Sequence, residues 1–243
     1  MTAGTRATQA MPIEAHATTS SLPYAPRSLT RSERGRREIF VYFSVRNQRI
    51  VTVADTVNVA MVLQLEFDVT LTHFVERPSR LQLSAKQQID VSFWTRSKTG
   101  EERFWMVIPD SGTVGSTSGT VAIRDRSVLD AAAERQGLIL HYVTEEQLLA
   151  SRLWLATAFE LLPLVWLHQR LVNRSLIRMR IEEKMRPVER MTLSVLIEVL
   201  AHQPTCEPTR VRAVVAAMIH QGRLRLVDYQ PGAPDAVLEV VHA

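Results

Sequence analysis

The chain has 243 residues, with 29 Lys and Arg against 25 Asp and Glu, seven His and one Cys, for a formal net charge of +4. The single cysteine, Cys206, excludes a disulfide framework and a cysteine-built zinc site and fits a reducing compartment. No apolar run reaches the roughly 18–20 residues that cross a bilayer, and no signal-peptide core opens the chain, so a cytoplasmic protein with no membrane partner is expected.

Residues 1–38 are expected to form a disordered basic arm. They are rich in Thr, Ser, Ala and Pro, lack apolar periodicity, and end in Arg27, Arg31, Arg34, Arg36 and Arg37. Ile39 to Phe43 and Arg49 to Val53 are β-branched and aromatic runs around an Arg46-Asn47-Gln48 turn, which predicts a hairpin. Thr56 to Leu65 reads as an apolar helix. Three strand-like runs follow: Phe74 to Leu83, broken at Pro78, then Gln88 to Trp94 and Arg103 to Ile108. Ser97-Lys98-Thr99-Gly100 is turn chemistry between the last two. Asp110 to Thr120 is a loop. Val121 to Gln136 has helical spacing and stops at Gly137, and Leu138 to Val143 is a strand. This order predicts a mixed α/β sheet domain over residues 39–143.

From Thr144 the character is helical. Thr144-Glu145-Glu146-Gln147 is a capping box. Dense Leu, Trp and Ile then run from Leu148 to Arg186, with a break expected near Pro163, so residues 144–187 are expected to be a helical linker. Beyond Pro187, Val188 to His202 is amphipathic. A helix starting at Pro208 repeats Val211, Val214, Val215, Met218 and Ile219 on one face and ends at Gly222. Arg223 to Val227 alternates charge with apolar residues, and Val237 to Val241 is a second strand beyond a turn at Pro231-Gly232. Helix, helix and hairpin is the order of a winged helix, placed at residues 188–243.

Most of the basic residues are arginines, whose planar fork suits phosphate, so a polyanion is the first candidate partner, with a solvated basic surface as the alternative. The candidate contacts are Arg34, Arg36 and Arg37 in the arm, Arg174 and Arg178 in the linker, and Arg210, Arg212, Arg223 and Arg225 in the winged helix. Arg170, Arg174 and Arg178 share one face if their helix is unbroken. The last helix carries Ala213 to Met218, which leaves few side chains for base edges, so backbone or protein contact is favoured. The histidines show no metal spacing, and Cys206 has no activating neighbour.

The stretch Arg49 to Asp68, RIVTVADTVNVAMVLQLEFD, resembles the first helix of the TnsA-type endonuclease subunit of heteromeric transposases, with its leucine–glutamate–phenylalanine–aspartate ending at Leu65 to Asp68. His73 to Pro78 is similar to the strand that follows in that family. Ile89-Asp90-Val91 falls on its proline–aspartate–phenylalanine element, and Val143 to Leu148 on its exit from the nuclease domain. The resemblance runs from about Phe43 to Val241. It implies a restriction-endonuclease-like mixed sheet domain followed by a winged helix. It also implies three partners: DNA, an integrase-type transposase subunit and an AAA+ ATPase regulator of transposition.

The chain departs from the family where the chemistry sits. The helix glutamate position, eight before Glu66, is Asn58; Asp90 is retained; the Glu/Gln–x–Lys strand reads Met106-Val107-Ile108. One carboxylate and one amide make a poor magnesium site, and Ile108 cannot orient water. The expectation is a vestigial site, filled by apolar side chains, with no catalytic residue, no metal and no cofactor. In an alternative reading, the protein is an active Mg-dependent endonuclease with carboxylates relocated to Glu66, Asp68 or Glu102. A second alternative is a transcriptional regulator that reads an operator through the winged helix.

Overall fold

The computed structural model describes residues 22–115, 121–227 and 235–242. The protein is a mixed α/β fold. In chain order, α1 (Arg31–Arg36) leads to the antiparallel hairpin of β1 (Ile39–Ser44) and β2 (Arg49–Ala54), then to α2 (Thr56–Phe67). β3 (Leu71–Glu76), β4 (Arg80–Gln82), β5 (Gln88–Asp90), β6 (Phe93–Ser97) and β7 (Glu102–Ile108) follow. Next come β8 (Thr113–Gly115), β9 (Val121–Ile123), α3 (Arg126–Glu134) and β10 (Leu140–Thr144). The remainder is α4 (Glu145–Leu149), α5 (Arg152–Arg170), α6 (Arg174–Met185), β11 (Arg190–Thr192), α7 (Leu193–Leu200), α8 (Pro208–His220), β12 (Leu224–Val227) and β13 (Val237–Val240).

The central sheet has the order β10-β7-β6-β3, with β10 parallel to β7 and the other pairs antiparallel. A parallel neighbour needs a crossover, and α3 supplies it. Side chains alternate across the sheet because successive Cβ atoms point to opposite faces. Phe74, Phe93 and Val107 pack toward Met61, Val62 and Leu65 of α2. Their neighbours Val75, Trp94 and Met106 pack toward Leu129, Ala132 and Ala133 of α3.

A third core lies under the C-terminal helices and does not stop at residue 143. Leu63 and Phe67 of α2 join Leu155, Ala158 and Val165 of α5, Ile177 and Ile181 of α6, and Val211, Val214 and Met218 of α8. α2 is therefore buried on two sides, and it is apolar around most of its circumference for that reason. Residues 144–187 are correspondingly not a linker: α5 is a wall of this core. A second sheet, ordered β11-β13-β12, closes the C-terminal end.

Other expectations are corrected locally. The arm expected to be disordered to residue 38 is built into the fold from Leu22 onward: Leu29 is buried, and α1 opens with a capping box between Thr30 and Glu33. Residues 1–21 lie outside the described residues, as does the Pro231-Gly232 turn. The helix expected from Val121 begins only at Arg126, because Val121 to Ile123 pairs with Thr113 to Gly115 as a strand. α5 runs straight through Pro163, whose exposed position places the lost backbone bond at the surface. The chain instead breaks at residues 171–173, so Arg170 ends one helix while Arg174 and Arg178 belong to the next. In the segment expected as a helix from Val188, Arg190 to Thr192 is recruited as a strand by β13, and α7 starts at Leu193.

Candidate functional site

Three of the four positions expected to be vestigial meet at one cleft of about 490 Å³ at the start of α2 and the ends of β5 and β7. Asn58, Asp90 and Met106 line it, together with Arg37, Asp55, Arg77 and Glu145. Ile108 does not line it. Its side chain is buried in the cluster beneath α3, so the expected plugging of the site by Ile108 is corrected, and Met106 alone among the apolar replacements reaches the cleft.

The polar wall groups named above are each engaged. Asn58 stands in the first turn of α2, and its Nδ2 donates to the Ala54 carbonyl at 2.9 Å. Asp55 precedes the helix with φ 68° and leaves the first turn without a side-chain cap, because its carboxylate instead accepts from Arg37, at 2.9 Å from Nε. Glu145 accepts the Asp110 amide at 3.0 Å.

Asp90 is held by two guanidinium groups. Arg27 Nε donates to Oδ1 at 2.8 Å, a second Arg27 nitrogen donates to Oδ2, and Arg80 Nε reaches Oδ1 at 3.0 Å. Bidentate pairing of this kind fixes geometry as well as charge. Arg27 also spans to Glu33 at 2.8 and 3.0 Å. The hydrogen bond from Arg27, helped by the Thr30 amide, holds the Glu33 carboxyl down at about 2. The hydrogen bonds to Asp90 and Glu33 in turn push the Arg27 guanidinium above its usual value.

The arm that carries Arg27 is docked by backbone and aromatic contacts. The Arg27 amide donates to the Arg77 carbonyl at 3.1 Å. Arg77 returns a bond from Nε to the Arg27 carbonyl at 2.9 Å and reaches the Thr52 carbonyl at 2.7 Å. Burial lowers the Arg77 guanidinium's affinity for its proton. Tyr24 lies 5.3 Å from Trp94 and 5.2 Å, edge-on, from Phe104.

This donor set does not fit a magnesium ion. Such a site needs converging anionic oxygens, whereas Asp90 faces two cations, Met106 offers a thioether, and Asn58 one amide oxygen. Among the described residues no group of three or more His, Cys, Asp or Glu could hold a metal. The relocated carboxylates are scattered. Glu66 is buried and accepts from Ser44 at 2.7 Å and the Arg46 amide at 2.9 Å. Asp68 accepts from Thr70, and Glu102 accepts from Trp94 and Arg96.

The nine candidate DNA contacts divide by their neighbours. Arg37 pairs with Asp55, Arg178 and Arg223 with Glu182, Arg210 with Glu207, and Arg225 with Glu239. Arg34, Arg36, Arg174 and Arg212 are exposed, with no carboxylate partner among the described residues. The helix expected to leave few side chains for base edges, α8, is buried from Ala213 to Ile219, with Arg210 and Arg212 exposed near its start.

The sequence shows Arg27 only as part of a basic run and carries no signal that gathers Arg77, Asp55 and Glu145 at the cleft or sets Arg80 on Asp90. The nearest signal was the acidic–basic spacing of Arg27 and Glu33, which a capping box at Thr30 would have turned into a fixed pair. The partnership of Arg27 with Asp90 spans 63 residues and leaves no local trace. Comparison with protein-family models and with curated proteins returns no match for this chain.

Proposed function

We propose that the protein is a catalytically silent, TnsA-like accessory subunit of a transposition system, which binds DNA and assembles with protein partners without cutting. The sheet of β3, β6, β7 and β10 with α2 serves in this reading as a restriction-endonuclease-like scaffold. α7, α8 and the β11-β13-β12 sheet serve as a winged helix. The partners are those the resemblance implies: DNA, an integrase-type transposase and an AAA+ regulator.

The observation that carries the reading is the state of Asp90. Its two oxygens are bonded to Arg27 and Arg80, in a cleft where Asn58 and Met106 stand at the family's remaining ligand positions. A carboxylate saturated by guanidinium groups is a structural anchor, and hydrolysis of a phosphodiester would need a cation where Arg27 stands. The operator-reading alternative meets the burial of α8, which leaves the helix without a base-reading face.

The test is a nicking assay on supercoiled plasmid with Mg²⁺ or Mn²⁺, run beside a DNA-binding titration. The expected result is salt-sensitive binding and no cleavage. Metal-dependent cutting that disappears in Asp90→Ala would overturn the reading in favour of an active endonuclease. Tight, sequence-specific protection of one short site would overturn it in favour of a regulator.

A further inference from the structure

α5 buries one side against α2 and α8 and presents the other to solvent. At the helical advance of 100° per residue, Arg152, Phe159, Pro163, Trp166 and Arg170 fall on one stripe. Phe159 is 62% exposed and Trp166 39% exposed, in a helix whose inner face is fully packed. No described element covers this stripe. The Arg170 guanidinium sits 3.8 Å from the Trp166 ring centroid, which holds the indole in place on the surface. Arg152 and Arg170 stand about 27 Å apart along the axis and bracket the apolar patch with positive charge. Glu160 lies on the flank of the stripe.

From the charge pattern we infer that this face docks an apolar segment of another protein that carries acidic residues at both ends of its contact, spaced to meet Arg152 and Arg170. A second copy of the chain fits poorly in either direction. Antiparallel pairing of two α5 helices sets Arg152 of one copy against Arg170 of the other, twice, and parallel pairing sets each arginine against itself. Like charges brought together at an interface disfavour association. The aromatic pair in the centre with arginine at the rim matches the residues that dominate protein interfaces. This surface is separate from the Asp90 cleft, and the inference stands whether or not the protein binds DNA.

The test uses the full chain and two fluorescently labelled synthetic helical peptides of about five turns. Both carry the same Leu and Phe stripe; one has Glu pairs at its two ends and the other Lys pairs. Fluorescence anisotropy at low salt should show the Glu-ended peptide binding about tenfold tighter. That preference should shrink toward unity at 0.5 M NaCl, because exposed pairs are screened. The double variant Phe159→Ser, Trp166→Ser should lose binding of the Glu-ended peptide while keeping the wild-type far-UV circular dichroism at the assay temperature, and Phe159→Ser alone, at the more exposed position, should weaken binding with little change in melting temperature. Arg152→Glu with Arg170→Glu should reverse the preference to the Lys-ended peptide. Equal affinity for the two peptides, or binding that survives the double serine variant, would overturn the inference. So would sedimentation showing a dimer that Trp166→Ser dissociates.

Discussion

Glu66 of α2 and Nε2 of His220, at the end of α8, meet at 3.3 Å, with Glu66 fully buried. Ser44 and the Arg46 amide complete the shell around the carboxylate, and the Tyr42 hydroxyl reaches it at 3.3 Å. Burial pushes the Glu66 carboxyl up, but the bonds from His220, Ser44 and Arg46 outweigh it and hold it below its ordinary value. The sheet half and the helical half are thus tied at one anionic point. Glu66→Ala should remove the acceptor for all of these donors and cost about 3 kcal/mol or more, with Glu66→Gln costing less because one acceptor oxygen remains. Urea unfolding followed by far-UV circular dichroism and tryptophan fluorescence measures the loss. The two probes should move together, since α2 belongs to both cores.

A second tie between the halves is steric. Gly222 ends α8 at φ 73°, and a Cβ there would stand 2.8 Å from Val69 Cγ1 and 3.1 Å from its Cβ. Gly222→Ala should cost about 1 kcal/mol for the left-handed backbone and about 1–3 kcal/mol more for the overlap. In a Val69→Gly background only the first part should remain. The double-mutant cycle by denaturant unfolding separates the two, and an unchanged penalty in that background would remove the steric explanation.

Local chemistry was legible in the chain. The Thr144 capping box, the stops at Gly137 and Gly222, and the turn at Ser97 to Gly100 all stand where neighbouring residues predict them, because each involves only a few adjacent positions. The convergence of Asn58, Asp90 and Met106 on one cleft was expected only through the family resemblance, since no local pattern brings them together. What escaped was decided by tertiary partners. Arg190 to Thr192 reads as helix until β13 offers it an edge, and Pro163 reads as a break until the packed inner face of α5 holds the helix through it. Ile108 reads as a plug for the cleft, but it shares the strand face of Met106 two residues further along, where it is buried in the cluster beneath α3 beyond the cleft. Arg27 reads as part of a disordered basic arm, whereas its backbone pairing with Arg77 delivers it to Asp90.

The arm should respond to acid through Glu33. Its carboxyl lies at about 2 in the folded protein against an ordinary 4.5. A depressed value means that the stabilisation is complete above pH 4.5 and fades as pH falls through about 2. Urea midpoints of wild type and Glu33→Gln should therefore differ by a constant amount from neutrality down to pH 5, and converge on further acidification. Parallel curves across the whole range would show that the bond to Arg27 contributes nothing to stability.

DNA affinity should depend on which arginines are free. Every phosphate contact releases counterions, so removing one lowers the slope of log K against log salt by about 1. Arg34 and Arg36 are exposed and unpaired among the described residues, and Arg34→Ala with Arg36→Ala should reduce the slope by about 2. Arg225 is different: its Nε donates to Glu239 at 2.5 Å, and Arg190 grips the same carboxylate. A phosphate must compete with Glu239 for it, so Arg225→Ala should leave the slope nearly unchanged and act mainly by loosening the pairing of β12 with β13. Anisotropy titrations of each variant from 50 to 300 mM salt on one duplex make the comparison. If Arg225→Ala flattened the slope more than the arm variant, the division of the arginines by their carboxylate neighbours would be wrong, and β12 would be the primary phosphate contact. A response flat for the wild type would leave protein docking as the protein's role.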